Sequence, residues 1–433
     1  MKKEKPTELD STASMLAYYR RNRFNPVPIA LEDRAAWESH CAKRINLYQK
    51  HLGIPLSLLR GRSVVEFGCG SGENALVLAS IGANLTLVEP NEQVLPRLKA
   101  LFKKFGLEGH IARLLPQGID RFKSRKKYDV VLAEGFLFTL PDRDEMVQKI
   151  GSLLAPGGLA VISFNDRYGG LLEMTKRLLL WRACQMAGID DAHSAASLEL
   201  ARRLYGEDFG RLNASRPFQA WWKDTLVNPL YNSEYCWSYR ELLSLVEKAD
   251  CEFYSSSPRW TLTDRFTWYK NVPDRKERLQ CLLDDWAGVF PYFLTGLPPS
   301  GVMDEPPAAE VVDAVSSLVA QISEYTTAAG RPIDTVSYPT ALDDYLKQSQ
   351  DSRLRRFNSE MKMLYQAASS HPLEDLITAY RGTKQVRNLW GVPYQYLCFS
   401  KLPLRTHKIT NGKLNKNRSI ARRIFNLKKR PMV

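Results

Sequence analysis

Apolar positions over residues 63–89 predict two short buried strands joined by a helix. Residues 63–67 and 85–88 are mostly apolar, as expected for parallel strands buried on both faces. Residues 73–80 form a helical run, and Gly82 stands where a left-handed C-terminal cap is expected. Three glycines between residues 68 and 72 fill the first turn and let the backbone approach a ligand closely. The pattern therefore predicts a strand, a glycine turn, a helix and a second strand.

An acidic residue, Glu89, ends the second strand, at the edge where a doubly wound sheet binds nucleotides. The glycines are spaced G-x-G-x-G, not G-x-G-x-x-G, the spacing that rests a pyrophosphate on a helix N-terminus. Glu66 and Glu73 would repel phosphate, whereas Glu89 can accept hydrogen bonds from both hydroxyls of a ribose. We therefore expect a nucleoside ligand with free ribose hydroxyls and a cationic centre.

Four motifs resemble those of the class I S-adenosylmethionine-dependent methyltransferases, and they occur in the family's order. Residues 64–72 (Val-Val-Glu-Phe-Gly-Cys-Gly-Ser-Gly) and 87–90 (Leu-Val-Glu-Pro) resemble its motifs I and II. Residues 128–132 are similar to its fourth strand, and residues 153–163 to the turn and strand that follow. The resemblance implies an α/β fold with a doubly wound, mostly parallel seven-stranded sheet and helical insertions. It also implies S-adenosyl-L-methionine as cofactor; the alternative is a nucleotide-like fold that binds no ligand.

The same resemblance assigns cofactor contacts to the ends of the first four strands. The candidates are Glu66, Gly68, Cys69, Gly70, Gly72, Glu89, Pro90, Gln117, Gly118, Ile119, Glu134 and Gly135. The family often has an acid after the third strand to hold the adenine amine. Here the nearest equivalent is Gln117, whose carbonyl can accept the same bond.

The turn after the fourth strand indicates which kind of group accepts the methyl. Family members that methylate amino groups of adenine, cytosine or glutamine usually carry Asp/Asn-Pro-Pro-Tyr/Phe there. Residues 133–136 are instead Ala-Glu-Gly-Phe, with Glu134 expected beside the methionine part of the cofactor. Methylation of a base or of glutamine is therefore disfavoured.

Candidate catalytic and substrate-binding residues lie outside these motifs. An alcohol acceptor needs a base, whereas an unprotonated amine needs mainly placement. Asp166, at the end of the fifth strand, is the first candidate base, and His193, in the insertion after it, is the second. Tyr18 and Tyr19 in the N-terminal arm and Trp222 in the insertion are candidates for substrate binding. For each of these residues, a packing or bystander role is the alternative.

The chain divides into segments of different character. We expect an N-terminal arm and helices covering the pocket (1–60), a cofactor-binding core (61–170), a helical insertion capping the substrate (171–237), a continuation of the core (238–270), a helical insertion or appended domain (271–388), a last core strand (389–400) and a basic tail (401–433). His40 and Arg44 are expected to help close the pocket. The predicted last strand, 390–399, would lie antiparallel beside the sixth strand, 251–255. The alternative is that residues 266–270 form this last strand.

Composition narrows the class of protein. The chain has 433 residues, too many for one average domain. Its seven cysteines include no Cys-x-x-Cys pair and its six histidines are scattered, so we expect reduced thiols and no metal site. No segment has the pattern of a signal peptide or a membrane span, and we expect a cytoplasmic protein.

The net charge of +14 is concentrated near the C-terminus. Residues 401–430 contain eleven Lys or Arg and no acid. Ile420, Ile424 and Leu427 would line one face of a short basic helix suited to peripheral contact with an anionic membrane. A solvated tail and contact with RNA are the alternatives, so nucleic acid is not excluded as a partner.

The sequence therefore predicts a methyltransferase acting on a hydroxyl or amine of a small-molecule or glycan-type acceptor. A first alternative is an RNA- or protein-directed methyltransferase. A second is a non-catalytic regulatory subunit that binds S-adenosylmethionine.

Overall fold

A mixed sheet is the centre of the computed structural model. The structure describes residues 29–212, 217–261, 270, 273–299, 305–327, 336–369 and 372–402. The strands are β1 (Ser63–Phe67), β2 (Asn84–Val88), β3 (Ile111–Leu115), β4 (Tyr128–Ala133), β5 (Leu154–Asp166), β6 (Cys236–Trp237), β7 (Cys251–Ser257) and β8 (Tyr394–Lys401). Seven of them form the order β3-β2-β1-β4-β5-β8-β7, and the two-residue β6 pairs with β5. The predicted doubly wound, mostly parallel sheet is confirmed.

The last strand in the chain lies inside the sheet. β8 pairs antiparallel with both β5 and β7, and its register places Tyr396 opposite Ser163 and Tyr394 opposite Asn165. The strand predicted at 390–399 is therefore present, between the fifth and sixth long strands. The rival position, 266–270, lies outside the described residues except for Lys270.

Helices cover both faces of the sheet. The described helices are α1 (Arg34–Ile45), α2 (Glu73–Ile81), α3 (Leu95–Lys104), α4 (Arg143–Leu153), α5 (Leu171–Met186), α6 (Ala195–Gly210), α7 (Phe218–Trp221), α8 (Tyr239–Lys248), α9 (Arg275–Thr295), α10 (Ala309–Thr327), α11 (Thr340–Lys347), α12 (Ser352–Ser369) and α13 (Leu373–Gly382). Apolar residues of α2 and α3 pack on one face of the sheet, which we call face A. Those of α4, α5 and α8 pack on the other, face B, together with α9–α13.

Local sequence explains several boundaries. Gly72 has φ +87° and precedes α2, and Gly82, with φ +99°, ends it as predicted. Ser238 and Glu241 form a capping box at the start of α8. Asp250 takes the left-handed conformation, which Asp tolerates, with φ +53°.

Helices α11 and α12 are separate because polar side chains bond to the backbone between them. Ser349 Oγ accepts from the Asp351 N–H, and Asp351 Oδ1 accepts from the Arg353 N–H. Within the described part of the chain, no helix is long and apolar enough to cross a membrane.

Candidate active site

Glu89 lies at the carboxyl end of β2 and is held by the turn beside it. Its Oε2 accepts from the Gly70 N–H at 2.8 Å, and its Oε1 accepts from the Asn91 N–H at 2.8 Å. Burial raises the pKa of Glu89, and these two backbone bonds oppose the rise. The carboxylate is therefore oriented by the main chain, with each oxygen retaining an acceptor direction for a ligand.

The three glycines of the turn differ in the space that a side chain would have: one position has room and two do not. A Cβ on Gly68, where φ is +66°, would lie 2.6 Å from Cδ1 of Phe136, and one on Gly72 would lie 2.9 Å from Cγ of Leu98. A Cβ on Gly70 would meet no atom within 4 Å. The backbone of the turn is thus packed against the core at its ends and open in the middle, beside Glu89.

Alternation along the strands brings several polar side chains to face A. Val64, Leu132 and Val161 belong to the core of face A, and side chains two residues later in a strand point the same way. Glu66, Glu134 and Ser163 follow that rule, as do Glu89 after β2 and Tyr394 at the start of β8. The carboxyl edge of the sheet therefore presents three carboxylates on one face.

An arginine from α1 neutralises one of these carboxylates. Arg44 donates from Nη1 to Glu134 Oε2 at 2.8 Å and from Nη2 to Glu134 Oε1 at 2.7 Å. Tyr48 Oη donates to the same carboxylate at 3.1 Å. Burial alone would raise the pKa of Glu134, but the Arg44 charge and the bonds from Arg44, Tyr48 and Tyr396 outweigh it, so the pKa lies below its usual value.

Glu66 stands beside this pair without a counter-ion of its own. It is buried, and within the described residues its Oε2 has no hydrogen-bond partner. Burial, assisted by the negative charge of Glu134, raises the pKa of Glu66 to about 8. Glu66 therefore carries a proton at neutral pH, and a cation arriving beside it would favour release of that proton.

A tyrosine that the motifs did not predict completes this edge. Tyr394 Oη lies 2.7 Å from Ser163 Oγ, which accepts from the Gly135 N–H at 2.7 Å. The Tyr394 side chain is 43% exposed although its hydroxyl is held in place. The signal in the sequence was the alternation of Tyr394 and Tyr396 in the predicted last strand. The strand register shows that both lie beside β5, where Tyr394 bonds to Ser163 and Tyr396 to Glu134.

The comparisons with known proteins agree with this geometry. Residues 41–206 match a family model described as a methyltransferase domain. These residues contain the glycine turn, Glu89 and Glu134. The chain therefore contains a methyltransferase domain.

Curated relatives share part of this methyltransferase domain. The chain is 32% identical over 146 residues to a tRNA U34 carboxymethyltransferase of Klebsiella pneumoniae, covering 34% of this chain and 43% of that protein. It is 29% identical over 171 residues to the protein of the same name from Pseudoalteromonas translucida, covering 33% and 52%. The chain thus spans about half the length of these relatives, or less.

Parts of the chain are also similar to solved methyltransferase structures. The N-methyltransferase NodS from Bradyrhizobium japonicum, in complex with S-adenosyl-L-homocysteine, is 20% identical, with 35% of this chain and 72% of that chain covered and a TM-score of 0.28. A methyltransferase from Clostridium acetobutylicum is 16% identical, with 37% and 59% covered and a TM-score of 0.26. Because these scores are low, the fold is defined by this chain's own strand order.

The residues of the methyltransferase domain fit S-adenosyl-L-methionine. The open cradle at Gly70 lies beside an oriented Glu89 carboxylate, which suits a ribose. The unpaired Glu66 Oε2 and the Glu134 carboxylate suit a cationic ligand. Of the other predicted contacts, Cys69 is buried and its carbonyl accepts from the Gly72 N–H, while Pro90 directly follows Glu89.

The predicted adenine contacts lie in the loop after β3. The Gln117 N–H bonds to the Leu115 carbonyl at 3.0 Å, and its side chain is half-buried. A Cβ on Gly118 would lie 2.2 Å from Oδ1 of Asp120, whose carboxylate folds back over this glycine. The Ile119 side chain is buried in the core of face B, so its backbone is the part available to a ligand.

The two candidate bases lie away from the carboxylates of face A. Asp166 is fully buried and follows Ile162 and Phe164, which belong to face B. Its Oδ2 accepts from the N–H groups of Tyr168 and Gly169, and burial raises its pKa to about 7. His193 is exposed just before α6, where its N–H bonds to Asp191 Oδ1. Their catalytic roles remain predictions.

The predicted substrate-binding aromatics are not brought together by the described structure. Trp222 is 3% exposed and belongs to the apolar core of the helical insertion. Tyr18 and Tyr19 lie outside the described residues. His40 is buried, and burial lowers its pKa; it lies near Glu73 at the start of α2. His40 and Arg44 thus both contact the region around the glycine turn from α1.

Proposed function

We propose that the protein uses its methyltransferase domain to transfer a methyl group from S-adenosyl-L-methionine to a hydroxyl or amine of a small acceptor. The observation that carries this proposal is the Glu89 carboxylate, held by the Gly70 and Asn91 N–H groups at the open middle of the glycine turn. Glu89 would hold the ribose, and Glu66 and Glu134 would favour the positive end of the ligand. When bound, S-adenosyl-L-methionine supplies an electrophilic methyl group on a sulfonium.

The residues around this carboxyl edge would place the acceptor. In-line displacement depends chiefly on alignment, worth up to roughly 7–11 kcal/mol in well-oriented systems. The exposed ring of Tyr394, with its hydroxyl fixed by Ser163, is suited to orient an acceptor hydroxyl or amine. Glu134 is engaged by Arg44 and stays ionised, so it contributes charge, not proton transfer.

The helical segments favour a small acceptor. Helices α5 and α6 and helices α9–α13 pack as one apolar layer on face B, continuous with the core. The segment leading from α13 into β8 connects this layer directly to Tyr394. By way of this segment, a layer on face B can border the face A side of the sheet edge and leave room there for a small molecule.

Methyl transfer itself tests the proposal. The full chain with radiolabelled S-adenosyl-L-methionine should label one or more small hydroxyl- or amine-bearing compounds from a panel. Tyr394→Phe should raise KM for the acceptor while leaving S-adenosyl-L-homocysteine binding unchanged. Binding of S-adenosyl-L-homocysteine without label transfer to any compound, RNA or protein would contradict the proposed activity and support a non-catalytic regulatory subunit.

An RNA acceptor is the second candidate, because the curated relatives are named tRNA U34 carboxymethyltransferases. The same assay with unfractionated tRNA as acceptor separates the two. Label in tRNA but in no small compound would favour this candidate, and binding to tRNA should then weaken steeply as salt is raised.

A further inference from the structure

A basic cavity lies in the helical layer, outside the methyltransferase site. It has a volume of about 280 Å³ and is lined by Arg211, which follows α6, and by the end of α13 and the segment after it. Four of its lining residues are cations, namely Arg211, Arg381, Lys384 and Arg387, and the described lining contains no acidic residue. A cavity of this size suits a small anionic group.

A buried carboxylate fixes two of the four cations. Asp208 is 2% exposed and accepts from Arg387 at 2.7 Å and from Arg211 at 3.2 Å. Tyr380 Oη also donates to Asp208, at 3.0 Å. Glu207 on the rim accepts from both arginines. These bonds hold Arg211 and Arg387 in position before any ligand arrives.

The other two cations carry charge that the described carboxylates do not neutralise. Arg381 donates to the Arg203 carbonyl and makes no ion pair within the described residues. Lys384 is exposed, and no described carboxylate lies within ion-pair distance of its ammonium group. Four cations thus face three described carboxylates: Asp208, Glu207 and, on the backbone of the loop that carries Lys384, Glu360. This leaves one positive charge in excess at the cavity.

A carboxylate on α12 fixes the backbone of the loop that carries Lys384. The Glu360 carboxylate accepts from the N–H groups of Lys384, Gln385 and Val386 at distances from 2.8 to 3.1 Å. The backbone donors of this loop are therefore occupied, and an anion would be held by side chains. Guanidinium groups with fixed planes favour bidentate binding of phosphate oxygens.

We propose that this cavity binds a phosphate group. Its geometry and charge are independent of the methyltransferase site, so the proposal does not depend on methyl transfer. The phosphate can belong to a small phosphorylated molecule or to the backbone of a nucleic acid, and the test separates these sources.

The test uses the full chain, with inorganic pyrophosphate as the probe in isothermal titration calorimetry. The wild type should bind one pyrophosphate per chain. Arg381→Gln/Lys384→Gln, which leaves the Asp208 anchors intact, should weaken binding at least about tenfold, since each substitution removes a charge-assisted bond to the phosphate. The matched control, Arg240→Gln/Lys276→Gln, removes the same charges from exposed positions on α8 and α9 and should bind as the wild type does.

Competition identifies the source of the phosphate. If a short single-stranded RNA competes with pyrophosphate and loses affinity in the Arg381/Lys384 variant, the ligand is a nucleic-acid backbone. If pyrophosphate binds and the RNA does not compete, the ligand is a small phosphorylated molecule. The proposal is overturned if the wild type does not bind pyrophosphate, or if the Arg381/Lys384 variant, folded by circular dichroism, binds it with wild-type affinity.

Discussion

At the scale of single residues, the site is governed by carboxylates in unlike surroundings. Glu134 is ionised because Arg44 pairs with it, whereas Glu66 retains a proton because burial is not compensated. Glu89 is oriented by two main-chain donors. Glutamate thus has three roles on one face of the sheet: Glu134 is a fixed charge, Glu66 is a titratable group and Glu89 is an oriented hydrogen-bond acceptor.

Removing Arg44 should leave the buried Glu134 carboxylate without its counter-ion. We expect Arg44→Ala to lower the free energy of unfolding by about 3–5 kcal/mol, because the remaining carboxylate has lost its counter-ion in a buried site. Urea denaturation followed by circular dichroism measures this. Arg34→Ala is the control: it breaks an exposed pair with Glu38 on the same helix and should change stability by less than about 1 kcal/mol. Equal losses in both variants would contradict the role given to Arg44.

Glu66 should make stability depend on pH. Its pKa is about 8 in the fold and about 4.3 in the unfolded chain, so the folded state binds more protons between these values. The stabilisation from this group is complete below about pH 4 and is lost as pH rises toward 8. Glu66→Gln should remove that contribution.

Urea midpoints from pH 5 to 8 test this prediction. The wild type should lose more stability over this range than Glu66→Gln does. Asp166 and Glu173, whose pKa values burial raises to about 7, titrate in both proteins and cancel in the difference. Parallel curves for the two proteins would show that Glu66 has no raised pKa.

At the scale of elements, the glycine turn is shaped by what packs on it. Gly68 combines a positive φ with contact to the Phe136 ring from the turn after β4. Gly106, after α3, has a similar φ of +64°, but a Cβ there would meet nothing within 4 Å. Both glycines have a positive φ, but a Cβ would overlap a neighbouring side chain at Gly68 and not at Gly106.

These glycines provide a matched pair of substitutions. Gly106→Ala should cost about 1–2 kcal/mol from the left-handed conformation alone. Gly68→Ala should cost about 1–3 kcal/mol more, because the new methyl group overlaps Phe136. Chemical denaturation gives the free energies of unfolding, and Gly68→Ala/Phe136→Ala should recover the steric part. Equal costs at the two positions would contradict the close packing of Phe136.

Strand and helix positions in the core were predictable because buried parallel strands and amphipathic helices leave regular patterns. The bounds of β1, β2 and β4 were predicted within one residue. The site was predictable only in part. The Arg44–Glu134 pair joins residues 90 positions apart, and Ser163 and Tyr394 are 231 apart. No local pattern encodes such contacts, since strand register and helix docking create them.

Asp166 shows a second reason why the sequence predicted the site only in part: a strand boundary was placed wrongly. The resemblance to the family's turn and fifth strand ended at residue 163, whereas β5 continues through Asp166. Inside a strand, the side chain must follow the alternation, and this places Asp166 on the face opposite Ser163. An error of three residues in a boundary thus changes which side of the sheet a candidate base faces.

At the scale of the whole molecule, β8 unites the helical layer with the sheet. It fills the space between β5 and β7 after a long excursion of the chain through α9–α13. Without β8, both neighbouring strands would expose unpaired main-chain groups, which favours aggregation. The C-terminal part of the chain is therefore needed to complete the sheet of the methyltransferase domain.

Two truncations test this dependence. Deletion of 403–433 keeps β8 and should leave a cooperative thermal transition within a few degrees of the wild type. Deletion of 389–433 removes β8 and should give aggregated protein or loss of the cooperative transition. Thermal melts by circular dichroism, with size-exclusion chromatography, distinguish the two. A soluble, cooperatively folding 1–388 protein would contradict the central position of β8.

The most direct measurement is calorimetric titration of the full chain with S-adenosyl-L-homocysteine. We expect binding of one ligand per chain, weakened at least about tenfold in Glu89→Ala through loss of charge-assisted bonds to the ribose. Glu92→Ala, which removes an exposed carboxylate three residues away, should bind as the wild type does. No heat with S-adenosyl-L-homocysteine, or heat with a pyridine dinucleotide instead, would contradict the account.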